Sequence, residues 1–104
     1  MSVMMITKNN FDLVKNSNKP VLLDFYADWC GPCRMLAPIF EEVAGEYKDV
    51  KFAKLNVDDE PKLAIAFKAQ SIPMLALVKD GVFCDVSVGL ITADKLRSLV
   101  DKNK

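Results

Sequence analysis

Histidine is absent from this 104-residue chain. A Cys–His hydrolase is therefore excluded, since no imidazole base exists. A structural zinc site wants four sulfur or nitrogen ligands, and three cysteines without histidine cannot supply them within one chain. No metal or bound cofactor is expected. An excess of either charge is missing too: 14 Lys and Arg balance 14 Asp and Glu, so no net field favours nucleic acid or an anionic membrane. No apolar stretch approaches the ~20 residues of a membrane span, and the N-terminal Met1–Lys8 is too short an apolar run for a secretion signal. Repeats, linkers and low-complexity segments are lacking as well. The expectation is a single domain over residues 1–104, large enough for its own core and cytoplasmic by default. In that reducing compartment a pair of nearby cysteines reads as catalytic or metal-binding rather than as a structural staple.

Such a pair is present in Trp29-Cys30-Gly31-Pro32-Cys33. Upstream, Val21-Leu22-Leu23-Asp24-Phe25-Tyr26-Ala27 is a nearly unbroken apolar run of strand length, as in a strand covered on both faces. Downstream, Leu36, Phe40, Val43 and Tyr47 recur at spacings of three and four, an apolar stripe along a helix. Cys30 thus falls at a helix N-terminus, where unpaired N–H groups and the positive end of the macrodipole favour a thiolate. Cys33 lies on the same face, with Cβ atoms about 5–6 Å apart. A disulfide needs about 3.5–4.5 Å, so a small tightening of the first turn closes it. Pro32 is tolerated there because its missing N–H has no helical partner. Cys30 is expected to be the exposed nucleophile and Cys33 the resolving thiol.

Asp24 interrupts an otherwise apolar strand, where an unpaired carboxylate is expensive. Desolvation would raise its pKa, so that it could relay a proton to or from Cys33. Trp29, beside the thiolate, reads as part of a docking surface rather than as a core aromatic.

The stretch Asp24 to Arg34, with Pro38 five residues after Cys33, resembles the thioredoxin family. So, in the same order, do Ala53 to Asp58, Ser71-Ile72-Pro73, Lys79-Asp80-Gly81 and Val88-Gly89. The Gly-Pro between the cysteines differs from the Pro-Tyr usual in glutaredoxins and the Gly-His of disulfide isomerase domains. The resemblance implies an α/β thioredoxin fold and a protein disulfide reductase in which a reversible Cys30–Cys33 disulfide carries the electrons. It also implies a cis bond before Pro73, facing the cysteines, which leaves the backbone of Ile72 free to pair with an extended substrate segment. Gly31, Pro32, Gly89 and Leu90 would complete that substrate-binding rim, and Lys54 would approach Asp24. The implied partners are disulfide-containing client proteins and a thioredoxin reductase, an NADPH-dependent flavoprotein, with the chain acting as a monomer. Tyr26 stands where many members carry tryptophan, and Met74 where threonine commonly follows the proline. A module with an incidental redox state is the alternative, disfavoured by the presence of both cysteines, Asp24 and the apolar rim.

The remaining pattern is βαβαβ followed by ββα, a central mixed sheet with helices on both faces. Val3 to Ile6 is a short edge strand, Thr7 caps a helix carrying Phe11 and Val14, and Val50 to Val57 is a third strand. Asp58 or Asp59 caps a helix with Pro61 in its first turn. Met74 to Val78 and Val82 to Val88 form a hairpin across Asp80-Gly81, and Thr92 caps a last helix. Strand alternation puts Cys84 with Val82, Val86 and Val88 on one face, predicting a buried, unreactive thiol.

Overall fold

The apolar run Val21–Tyr26 becomes β2, the middle strand of a five-stranded sheet, in a computed structural model that describes residues 3–104. Met1 and Ser2, the start of the N-terminal run read above, lie outside the described residues. Around β2 are β1 (Val3–Met5), α1 (Asp12–Lys15), α2 (Gly31–Ala44), β3 (Lys51–Asn56), α3 (Pro61–Ala66), β4 (Met74–Lys79), β5 (Val82–Val88) and α4 (Ala93–Asp101). The sheet order is β1-β3-β2-β4-β5, with β1, β3 and β2 parallel and β4 antiparallel to both β2 and β5. This is the mixed sheet with the βαβαβ and ββα halves that the thioredoxin resemblance implies.

Period-two alternation divides the strands between two cores. Leu22, Phe52, Leu75 and Leu77 meet Leu36, Phe40 and Val43 of α2 and Leu96 and Val100 of α4. Leu23, Phe25, Leu55 and Ala76 pack on the opposite face, with Val14 of α1 and Leu63 and Phe67 in and after α3. Asp24 shares the parity of Leu22 and so faces α2. Pro38 lies inside α2 without ending it.

Two helix starts differ from expectation. Thr7 does not cap α1: its Oγ1 accepts the N–H of Asn9 at 3.2 Å, and the helix begins after Phe11 with no side-chain cap. Asn10 makes the link instead, accepting the Thr7 N–H at 2.7 Å and donating to the Met5 carbonyl at 2.9 Å. Neither Asp58 nor Asp59 caps α3, whose N-cap is Glu60, again without a side-chain bond. Asn56 Oδ1 accepts both of their N–H groups, at 2.9 and 3.3 Å, in an Asx turn. Pro61, with its φ already set for a helix, then opens α3. Thr92 does cap α4, its Oγ1 accepting the Lys95 N–H at 3.2 Å.

The hairpin turn has positive φ at both central residues, Asp80 at 54° and Gly81 at 77°, the twist that matches right-handed strands. A Cβ on Gly81 would stand 2.9 Å from the Lys15 carbonyl oxygen.

Cys84 is exposed, which corrects the expectation of a buried thiol. Leu77 pairs with Asp85 and Val78 with Phe83, so Cys84 is the extra residue of a β-bulge, without a partner on β4. The bulge resets the alternation: Phe83 turns toward Phe67, ring centroids 5.7 Å apart, and lines one surface with Val86 and Val88. β5 is moreover an edge strand, and its Val82 and Val88 are more than half exposed.

Two predictions follow from this hairpin. In the oxidised protein one thiol should react at once with a thiol reagent without denaturant, and Cys84→Ser should remove that reaction; a thiol that titrates only after unfolding would contradict the bulge. Gly81→Ala combines a left-handed β-carbon penalty of about 1–2 kcal/mol with the collision at Lys15, so its urea midpoint should fall by the equivalent of about 2 kcal/mol or more.

Candidate active site

Where β2 ends, Ala27 to Trp29 carry the chain into α2, and Cys30 occupies the N-cap with extended dihedrals of −85° and 112°. Its Sγ accepts the Cys33 N–H at 3.2 Å, so a sulfur takes the place usually held by a capping oxygen. Cys30 and Cys33 form a disulfide with Cα atoms 5.2 Å apart, inside the usual disulfide range. Pro32 sits in the first turn.

Both cysteines are buried, Cys30 at 4% exposure and Cys33 at 3%, so the expected difference in exposure is absent in the oxidised state. Ala27, Ile72, Val57 and Tyr26 close around the pair. The two sulfurs differ in their surroundings instead. Cys30 lies toward the rim: its Sγ is 3.9 Å from the Ile72 carbonyl oxygen. The Ile72–Pro73 bond is cis, and the Pro73 carbonyl accepts the Gly89 N–H at 2.8 Å, which ties Gly89 to this edge. Pro32 and Leu90 are exposed nearby in the sequence, and Gly31 is half-buried.

Trp29 is 69% exposed and belongs to the surface, not the core. Its Nε1–H donates to Asp58 Oδ2 at 2.8 Å. The side chain of Asp58, one of the two cap candidates for α3, orients the indole instead. No local pattern signals a contact between residues 29 positions apart.

Cys33 faces inward, onto a cavity of about 370 Å³ that it lines with Asp24, Tyr26, Ala27 and Lys54. Arg34 and Asp28 stand at its exposed edge, the Arg34 Nη1–H donating to the Asp28 carbonyl at 2.8 Å. Asp24 is 4% exposed, and its Oδ1 has no hydrogen-bond partner. Burial pushes its pKa up to about 7, against a smaller opposing pull from the Lys54 charge. Lys54 is the Cα partner of Asp24 across β2 and β3. Its ammonium nevertheless sits over the Tyr26 ring, 5.5 Å from the centroid. Among the described residues Asp24 has no ion-pair partner within 4 Å. No group of three or more Cys, Asp or Glu among them is placed to hold a metal.

Comparison with known proteins agrees with this geometry. The family model described as Thioredoxin matches residues 2–102. The chain is 42% identical to a thioredoxin of Pyropia yezoensis over 104 residues, covering 98% of this chain and 97% of that one. It is also 42% identical to a thioredoxin of Staphylococcus haemolyticus, covering 99% of each. An M-type chloroplastic thioredoxin of Chlamydomonas reinhardtii is 42% identical over 88% of this chain and 66% of its own length.

The Asp24 carboxyl makes stability depend on pH. Its folded pKa of about 7 lies above the ordinary 3.8, so the folded state keeps a proton that the unfolded state has lost. This group therefore weakens the fold progressively as pH rises from about 4 to about 7. At 1.36 kcal/mol per unit the full cost is on the order of 4 kcal/mol. Asp24→Asn should abolish that slope and raise unfolding stability at pH 7.5 by roughly 2–4 kcal/mol, measured by denaturant titration across pH. A variant that is less stable than wild type at pH 7.5 would show that the carboxylate is paired after all.

Proposed function

Because the chain belongs to the thioredoxin family, we propose a division of labour among its residues in the dithiol–disulfide exchange that the family performs. The chain is a dithiol–disulfide oxidoreductase acting on disulfide-containing substrates. Cys30 is the nucleophile and Cys33 the resolving thiol. The observation that carries this assignment is the difference in what the two sulfurs face: Cys30 caps α2 beside Ile72, whereas Cys33 shares a cavity with Asp24.

In the reduced protein the Cys30 thiolate, stabilised by the Cys33 N–H and the helix terminus, attacks one sulfur of a client disulfide. A Cys30–client bond forms and the client's own S–S bond breaks, releasing one client thiolate. Cys33 then gives its proton to Asp24, directly or through water, and attacks Cys30 Sγ. The Cys30–client bond breaks, the second client sulfur leaves as a thiolate that takes a proton from Asp24 or water, and the Cys30–Cys33 disulfide remains. Two electrons have moved to the client. A carboxyl group with a pKa near 7 suits the transfer, being ionised often enough to accept and basic enough to pull.

Trp29, Gly31, Pro32, Ile72, Pro73, Gly89 and Leu90 form the client-docking rim. Ile72 supports this reading: among the described residues its N–H finds no backbone partner outside regular structure, leaving it free to pair with an extended client segment. Lys54 supports Asp24 electrostatically. The dithiol is regenerated by a thioredoxin reductase, an NADPH-dependent flavoprotein, and the protein works as a cytoplasmic monomer of one domain. An exposed, unpaired Cys84 thiol fits a reducing compartment, and no helix among the described residues is long and apolar enough to cross a membrane.

Cys30→Ser should abolish reduction of insulin disulfides. Cys33→Ser should still attack but stall as a mixed disulfide, visible by non-reducing electrophoresis and mass spectrometry. Asp24→Asn should keep the attack and slow the resolution step by about 10-fold or more, the lower end of a positioned acid–base contribution. Normal turnover by Cys33→Ser, retained activity in Cys30→Ser, or unchanged resolution in Asp24→Asn would each overturn the corresponding role.

A further inference from the structure

Asp24 and Lys54 are directly opposed on neighbouring strands, yet they do not pair. A flexible lysine stem beside an unpartnered buried carboxylate would ordinarily swing onto it. Here the ammonium is held over the face of Tyr26, within the ~6 Å range in which an aromatic quadrupole attracts a cation. Tyr26 lies two residues after Asp24 on β2 and therefore on the same face, and Asp24, Tyr26, Lys54 and Cys33 all line one cavity. The ring is braced from β1, its hydroxyl 3.7 Å from Met5 Sδ.

We propose that Tyr26 is a positioning residue: its ring seats the Lys54 ammonium at the mouth of the Asp24–Cys33 cavity, so that the carboxyl group stays unpaired and able to take the Cys33 proton. The inference rests on the reading of Asp24 as proton acceptor, given above. The charged groups around Asp24 are few. β3 contributes Lys54, α2 contributes Arg34 at the cavity edge with Cys33, and the loop after β2 contributes Asp28. β4 contributes none, since Leu75 is the opposing residue there. Arg34 is occupied with the Asp28 carbonyl, so Lys54 is the cation whose movement would change the carboxyl group most. Moved from the ring into contact with Asp24, it would stabilise the carboxylate and leave a weaker base. Because a weaker base is also more fully ionised, the rate at a single pH would change little, and the midpoint of the pH profile is the sensitive readout.

The test follows the Asp24 carboxyl carbon by NMR in the reduced protein across pH, alongside the pH profile of mixed-disulfide resolution. Tyr26→Leu should lower both midpoints by about one unit or more, the effect of an opposite charge brought within ~4–6 Å. Tyr26→Phe, which keeps the ring, should retain the wild-type midpoints. Adding Lys54→Met to Tyr26→Leu should return them to the wild-type values or above, which a merely structural role for the ring would not do. An Asp24 midpoint unmoved in Tyr26→Leu would overturn the proposal, as would the same downward shift in the double variant. If instead the midpoint moves as expected while Asp24→Asn resolves at the wild-type rate, the seating of Lys54 stands and the proton-acceptor reading of Asp24 falls.

Discussion

Everything at the site depends on the placement of β2 in the middle of the sheet. It is paired along its length with β3 on one side and β4 on the other, and covered above and below by the two cores. A strand so enclosed can deliver a side chain to a buried position without any loop having to hold it there. Period two then decides which residues go where: Leu23 and Phe25 to the α1 and α3 face, Leu22, Asp24 and Tyr26 to the face that α2 covers. The same strand ends in the turn that starts α2, so one rigid element sets both the carboxyl group and the cysteine-bearing helix terminus.

That arrangement is costly. A carboxyl group with one oxygen unpartnered under a packed helix destabilises the fold at neutral pH, and the Lys54 charge offsets only a smaller part of that cost, its ammonium being turned onto Tyr26. Asparagine or an aliphatic residue would serve packing better. A polar group that weakens the structure and shares a cavity with Cys33 fits the proton-acceptor role proposed for it.

Much of this was legible in the sequence because the signals are local or periodic. The apolar run of β2, the stripe of Leu36, Phe40 and Val43, the Asp80-Gly81 turn and the Thr92 cap each follow from a few neighbouring residues. The errors share the opposite property. Thr7 and Asp58 are adequate caps by type, but the Asn10 and Asn56 side chains accept their backbone N–H groups in turns that delay the helices, and the Asp58 carboxylate is drawn to an indole from another element. Cys84 followed the valines under strict alternation, which a single bulge residue opposite Leu77 and Val78 reverses. The seating of Lys54 over Tyr26 likewise needs the register of β2 against β3, which neither strand carries alone.

The near-equal burial of the two cysteines bears on where the rate of exchange comes from. Exposure does not select Cys30, and thiolate activation selects it only weakly. Each unit by which a pKa falls from above neutral raises the thiolate fraction at most ~10-fold while lowering intrinsic nucleophilicity about 3-fold. The gain is only about threefold per unit. On the proposed assignment of Cys30 as nucleophile, the rest of the rate comes from docking a client disulfide against the surface that carries Trp29, Ile72 and Pro73. The hydrogen bonds from the Trp29 indole to Asp58 and from the Gly89 N–H to the Pro73 carbonyl fix both parts of that surface within the fold itself. Preorganised contacts of this kind reduce the entropy lost on docking, and they reside in residues that take no part in the electron transfer.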